Sequence, residues 1–257
     1  MKKMLTIALA LLFLITAVNF GQSATMDKEA AKLYNQGNRQ KKSGDYDGAL
    51  ASYQEALNKS KDYRIYYQLG LVYKKKRDFA KAEEMLHKSL EVKPDFNTAY
   101  NALGTTYYSW GKYEKAVESF KKYAENTKKK KNKKRAQKYI GLAYTKLGDQ
   151  ALKDKNYDKA TEYLMNAVSN YNYDAAYLKL ADIYLDKGNY QKALEAADNA
   201  VNYRGKKSKV PKGAPYFYKG MAYKGLHNIA KAKENFQKAS KDKIYRARSK
   251  HEINSLK

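Results

Sequence analysis

The sequence predicts an all-α solenoid of about six helix–turn–helix hairpins, stacked side by side and closed by a C-terminal capping helix. Three observations predict it. The stretch Tyr100 to Ala124, YNALGTTYYSWGKYEKAVESFKKYA, reads as two amphipathic helices folded back on each other through Gly111. Tyr100, Leu103, Gly104 and Tyr107 share one face of the first helix, and Tyr113, Ala116, Phe120 and Tyr123 share one face of the second. Gly111 suits a left-handed residue just past a helix end, where a side chain would clash. The same pattern then recurs along the chain. Finally, each hairpin leaves one apolar flank uncovered, so it needs neighbours of its own kind.

The recurring markers are Gln36-Gly37, Leu69-Gly70, Leu103-Gly104, Leu147-Gly148, Leu180-Ala181 and Lys219-Gly220. An aromatic or aliphatic residue and a small one follow each at nearly fixed offsets: Tyr46/Ala49, Phe79/Ala82, Tyr113/Ala116, Tyr157/Ala160, Tyr190/Ala193 and Ile229/Ala232. The order W/Y-x2-L-G-x2-Y, G-x-Y-x2-A, F-x2-A closely resembles the tetratricopeptide repeat, a unit of about 34 residues. The resemblance covers nearly all of Ala30 to Lys257. It implies a right-handed superhelix whose first helices line a concave wall. It implies little about chemistry, because the marker residues are all packing residues.

Taken in order, repeat one spans 30–63, with Gly44 at its turn and Tyr53 and Ala56 on its second helix. Repeat two, 63–96, has Arg77 where a turn glycine is usual and ends near Pro94, which lacks an amide hydrogen. Repeat three is 97–130. Repeat four, 135–174, has a long first helix from about Arg135 to Lys155, striped by Tyr139, Ile140, Tyr144, Leu147 and Ala151. In repeat five, 174–207, Ala197 replaces the second-helix aromatic. Repeat six spans 213–246. The stretch 243–257, with Ile244, Ala247, Ile253 and Leu256 among polar residues, reads as the cap.

Marker spacing adds information. Going from residue 37 to 70, 104, 148, 181 and 220 gives steps of 33, 34, 44, 33 and 39. The two long steps coincide with the two most basic tracts. One holds Lys128, Lys129, Lys130, Lys131, Lys133, Lys134 and Arg135. The other holds Arg204, Lys206, Lys207, Lys209 and Lys212. Extra residues in an array belong in inter-repeat connections, so both tracts are expected as exposed inserts, the first partly joining the long helix. Pro211 and Pro215 are expected to keep the second extended or turned.

Residues 1–24 read as a secretory signal peptide: Lys2 and Lys3, an uncharged apolar run of 15 residues from Met4 to Val18, then a polar exit. The run is short of the roughly 20 residues that span a bilayer comfortably. Export to the periplasm or envelope is therefore expected, the alternative being retention at the membrane by an uncleaved segment. The absence of cysteine excludes disulfides, thiolate metal sites and a lipoprotein anchor.

No catalytic constellation is present. His87, His227 and His251 are far apart, and no paired-histidine helix, phosphate-cradling loop or nucleophile elbow appears. Glu83, Glu84, Glu118 and Glu195 read as solvated charges on outer faces. No enzyme, no cofactor, no metal and no small-molecule substrate are expected.

In related repeats, positions two, five, nine and twelve of each first helix point into the concave wall. Carried over, they are Tyr34, Asn38 and Lys41; Arg64, Tyr67, Leu71 and Lys74; Thr98, Asn101, Thr105 and Tyr108; Leu178, Asp182 and Leu185; and Phe217, Met221 and Lys224. Aromatic side chains bring contact area at small entropic cost, so Tyr34, Tyr67, Tyr108 and Phe217 are candidate anchors for an extended peptide. One subfamily clamps a peptide's terminal carboxylate with a lysine, an arginine and two asparagines. Asn38 and Asn101 match the asparagines, but Tyr34, Tyr67 and Thr98 occupy other key places, so that activity is not carried over.

The expected function is a non-enzymatic protein-binding scaffold of the cell envelope. The alternative is an electrostatic binder of anionic polymers or membrane surfaces through 128–135 and 204–212. Without Lys2 and Lys3 the chain still has 50 basic and 26 acidic residues, a net of +24. Export would leave lipid head groups, acidic envelope polymers and acidic proteins as partners, and nucleic acid out of reach.

Overall fold

The computed structural model describes residues 26–256, and the leader expected over residues 1–24 lies outside them. Thirteen helices and no strand are found among the described residues. They are Lys28–Ser43 (α1), Tyr46–Lys59 (α2), Tyr63–Lys75 (α3), Phe79–Val92 (α4), Asn97–Trp110 (α5), Tyr113–Asn126 (α6), Lys130–Lys153 (α7), Tyr157–Asn170 (α8), Asp174–Asp186 (α9), Tyr190–Asn202 (α10), Ala214–Gly225 (α11), Ile229–Ser240 (α12) and Arg246–Ser255 (α13). Each odd helix pairs with the even helix after it, and each even helix packs on the next odd one. The result is a superhelical solenoid of six hairpins with α13 packed against α12 as the cap. None of these helices is long and apolar enough to cross a membrane.

The turns explain the regularity. Gly44, Arg77, Gly111, Lys155, Gly188 and His227 all have positive φ, between 55° and 87°. The left-handed residue closes the odd helix, and the next residue starts the even one. In five turns that next residue is an Asp or Asn accepting a hydrogen bond from the backbone N–H three residues on: Asp45, Asp78, Asn156, Asn189 and Asn228. In α6, Lys112 stands there and gives no side-chain cap. Arg77, Lys155 and His227 hold this conformation at a cost of roughly 1 kcal/mol each, because a Cβ crowds the carbonyl.

Within each hairpin the helices cross where one partner is small. A Cβ on Gly104 would lie 2.8 Å from the Phe120 ring, and one on Gly220 2.5 Å from the Phe236 ring. The apolar stripes are buried accordingly: Tyr53, Leu86, Phe120, Leu164 and Phe236 are essentially inaccessible, as is Ala197 in place of an aromatic. Burying each large side chain contributes about 1.5–3 kcal/mol.

Four expectations need correction. The first helix of repeat four starts at Lys130, not near Arg135, so most of the basic run forms the exposed first turn and a half of α7, and only Lys128 and Lys129 stay in the connection. Lysine is a good helix former, and the packed stripe from Ala136 onward carries the helix backward through it. Pro215 lies inside the first turn of α11, where its missing N–H costs nothing. Ile244 is 60% exposed, and Tyr245 packs on Phe217 in its stead. Glu83 is no free surface charge. Its carboxylate accepts from the Tyr107 hydroxyl at 2.6 Å and from Lys115 at 3.0 Å, tying α4 to the following repeat. Burial alone would raise the Glu83 carboxyl, but these bonds and the charges of Lys115 and Lys112 outweigh it and hold it below its ordinary value.

Candidate functional site

The odd helices form the inner wall. Direct packing joins α3 to α5 and α9 to α11, and no pair of even helices approaches to that extent among the described residues. A stack whose first helices touch while its second helices diverge must curve toward the first. Side chains also cross from one odd helix to the next. Lys41 donates to Gln68 Oε1, whose amide nitrogen is 3.4 Å from the Tyr34 hydroxyl. Lys74 donates to Thr105 at 2.6 Å, Lys179 pairs with Asp149 at 2.8 Å, and Lys224 pairs with Glu252 at 2.7 Å.

In the first three repeats the expected groove residues are half-buried, held by the fold yet reachable by a partner. The Tyr34 ring lies 5.9 Å from that of Tyr53, whose hydroxyl donates to Asn38 Oδ1 at 2.8 Å. Arg64 forks onto Asp62 through two bonds of 2.8 and 2.6 Å, which raises its pKa further and removes it as a free cation. Tyr67 meets Phe96 edge-on at 5.2 Å, and Tyr108 meets Tyr113 at 5.5 Å. Burial raises the pKa of both phenols, so both remain neutral donors. Asn101 Oδ1 is buried with no partner, while Thr98 is exposed. Between α1 and α3, Lys41, Tyr46, Leu71, Lys74 and Lys75 line a hollow of 480 Å³.

The last repeats differ. Leu178 is only 8% exposed and packs with Ala200 and Ala214, and Phe217, 5% exposed, lies under Phe236 and Tyr245. Arg248 of α13 covers the Phe217 ring at 4.6 Å. Neither Leu178 nor Phe217 is a groove contact, because the connection before α11 and the cap fill the space that their register leaves open. Met221 is half-buried against the same cluster, Leu185 is half-buried and Asp182 faces solvent. In α7 the equivalent positions are Leu142, Thr145, Asp149 and Leu152, which the sequence reading passed over although the Leu147-Gly148 marker fixes their register. Thr145 takes the Tyr173 hydroxyl and Asp149 takes Lys179, so both are spent on neighbouring repeats. The aromatic positions of this register that stay accessible, Tyr34, Tyr67 and Tyr108, therefore lie on α1, α3 and α5.

The basic tracts also divide. Lys128, Lys129, Lys130, Lys131, Lys133 and Lys134 are exposed, while Arg135 donates to the Tyr123 hydroxyl at 2.9 Å and lies over that ring. In the second tract Lys206, Lys207, Lys209 and Lys212 are exposed, but Arg204 is not free. It reaches the buried Asp174 carboxylate at 3.6 Å and donates to the Val210 carbonyl, and Ser208 donates to the same carboxylate. Among the described residues no three His, Asp or Glu side chains converge as metal ligands would.

Comparison with known proteins agrees with this architecture. Tetratricopeptide-repeat family models match residues 61–129 and 145–208, and a TPR-repeat model matches residues 37–76. The chain is 34% identical over 96 residues to the photosystem I assembly protein Ycf3 of Acaryochloris marina, covering 35% of this chain and 58% of that protein. Among solved structures, a double mutant of MamA RS-1 is similar at TM-score 0.50 and 19% identity, over 70% of this chain and 96% of that one. A MamA fragment from Desulfovibrio magneticus RS-1 gives 0.49 and 20% identity, over 70% of this chain and 97% of that one. With helix pairing, turn geometry and family models in agreement, the chain belongs to the tetratricopeptide-repeat family.

Proposed function

We propose that this protein is an exported, non-catalytic scaffold of the cell envelope that binds an extended segment of a partner protein along α1, α3 and α5. Repeats of this family mediate protein–protein contacts and are typically non-catalytic. One observation carries the reading: Tyr34, Tyr67, Leu71 and Tyr108 stay half-exposed on a wall whose helices are tied to each other by side-chain bonds. A preorganised apolar strip of this kind binds without first paying to order itself. The name of the assembly protein among the relatives is in keeping with a role in bringing other proteins together. Export rests on Lys2, Lys3 and the apolar run to Val18. Full-length protein with an intact Met1 in the cytosol would overturn it.

A second reading rests on the exposed lysines at the start of α7, which enter no ion pair among the described residues and form a compact positive end. On that reading the protein would bind anionic polymers or lipid surfaces. Cross-linking the mature chain in its own envelope extract, at low and high salt, separates the two. Under the scaffold reading, capture survives high salt, falls by more than about tenfold in Leu71→Asp/Tyr108→Ala, and is unchanged when Lys128 to Lys131 become glutamine. The opposite pattern would establish the polyanion reading instead.

A further inference from the structure

Lysines at the twelfth position of the first helices meet two different fates. In repeat six, Lys224 reaches across to α13 and pairs with Glu252 at 2.7 Å. In repeats one and two, Lys41 and Lys74 reach across in the same way but find only neutral oxygens, those of Gln68 and Thr105. Neither ammonium has a carboxylate within ion-pair distance among the described residues. The two acids flanking the hollow's Tyr46 are both engaged, Asp45 by the Gly48 backbone N–H and Asp47 by Lys76. Both ammoniums are half-buried, and burial pulls the pKa of each below its ordinary value. Desolvated cations of this kind are costly until an anion reaches them. The hollow they line also presents Leu71 and Tyr46, so its lining combines apolar surface with positive charge.

We infer that the hollow between α1 and α3 receives the side-chain carboxylate of an acidic residue in the bound segment, held by Lys41 and Lys74 with Lys75 at the rim, while a neighbouring apolar residue of that segment rests on Leu71. The inference deepens the scaffold reading and rests on it. What Glu252 does inside the molecule at repeat six, the partner does at repeats one and two. The site differs from a terminal-carboxylate clamp, since it uses position twelve rather than the asparagines at 38 and 101.

The test uses the full mature chain and two pools of short peptides, capped at both ends. One pool has a fixed central glutamate, the other glutamine at the same place, each with leucine fixed nearby and the remaining positions random. Binding is read by fluorescence anisotropy, and folding of each variant by its circular-dichroism melt. The wild-type chain is expected to bind the glutamate pool about tenfold more tightly, as a charge-assisted hydrogen bond contributes. Lys41→Gln/Lys74→Gln should bind both pools equally, at the wild-type level for glutamine. Lys74→Glu should prefer a third pool with central lysine, which a merely weakened fold cannot produce. Equal binding of both pools by the wild-type chain would overturn the acid site and leave the scaffold reading standing. So would a glutamate preference that persists in the double variant. Binding of no pool overturns both. Loss in the double variant of binding to phosphatidylglycerol vesicles, with peptide binding untouched, would assign the lysines to lipid and refute the inference.

Discussion

Replacing Gly104 by alanine sets two effects of known sign against each other. In an isolated helix the change stabilises by about 1 kcal/mol, since glycine gives up more backbone freedom than alanine. Here the new Cβ would stand 2.8 Å from two carbons of the Phe120 ring. That ring cannot withdraw, because its far face stacks on Tyr139 of the next repeat at 5.0 Å with only 9° between planes. Overpacking a core in this way costs typically 1–3 kcal/mol. The net expectation is a loss of up to about 2 kcal/mol, felt at the boundary between repeats three and four. Gly148→Ala is the matched comparison. Its Cβ would meet the Leu164 side chain at 2.9 Å, and an aliphatic chain turns aside more readily than a clamped ring, so its loss should be smaller. Urea unfolding by circular dichroism, with amide exchange to locate the weakened hairpin, measures both. A stabilised Gly104→Ala, or a greater loss in Gly148→Ala, would refute the account of how the hairpins pack.

Two further perturbations follow from the electrostatics. The Glu83 carboxyl is held below its usual pKa, so it contributes stability that is present above the unfolded value of 4.5 and is lost as pH falls through the lower folded value. Glu83→Gln should therefore lower stability at pH 7, and its deficit should shrink as the pH is lowered below 4.5; a deficit that stays constant in acid melts would contradict this. Arg204→Ala leaves the Asp174 carboxylate, 7% exposed, with no cation and only Ser208 and the Ala175 backbone N–H as partners, and should cost about 2 kcal/mol while loosening residues 203–213 to proteolysis. Asp158→Asn breaks an ion pair whose carboxylate is 94% exposed and should change stability far less. Similar losses from the two substitutions would contradict the burial argument.

The fold was legible because its determinants are local and periodic. Gly104 faces Phe120 and Gly220 faces Phe236 across hairpins whose two halves lie sixteen residues apart, so sequence spacing alone pairs them. Other features depend on contacts that no spacing displays. Glu83 looks like a solvated charge until Tyr107 and Lys115 arrive from the next repeat. Phe217 occupies a groove position by register but is covered by Tyr245 and Arg248 from the cap. Marker spacing suggested an exposed insert at Lys128 to Arg135 that only partly joined the helix, yet helix propensity and the packed stripe beyond it carried α7 back to Lys130. Of the three left-handed turns without glycine, at Arg77, Lys155 and His227, the sequence marked only Arg77 as standing where glycine is usual, because φ shows in the backbone and not in the residue type.

The division of the inner wall limits what a partner can look like. Repeats four to six spend most of their inward polar groups on each other, Thr145 on Tyr173, Asp149 on Lys179 and Lys224 on Glu252, with Asp182 left exposed. In repeats one to three Arg64 is spent on Asp62, while Lys41 and Lys74 rest on neutral acceptors and Asn101 Oδ1 has no partner. Packed helices lie about 8–10 Å apart, so the open wall from α1 to α5 spans roughly 16–20 Å. An extended chain covers that distance in about five or six residues at ~3.3 Å each. A segment of that length has room for an acidic residue over Lys41 and Lys74 and for two or three apolar ones over Tyr34, Leu71 and Tyr108. It has no call on α7 to α11. On the proposed reading, the open part of the wall would therefore take a short linear segment rather than a folded surface.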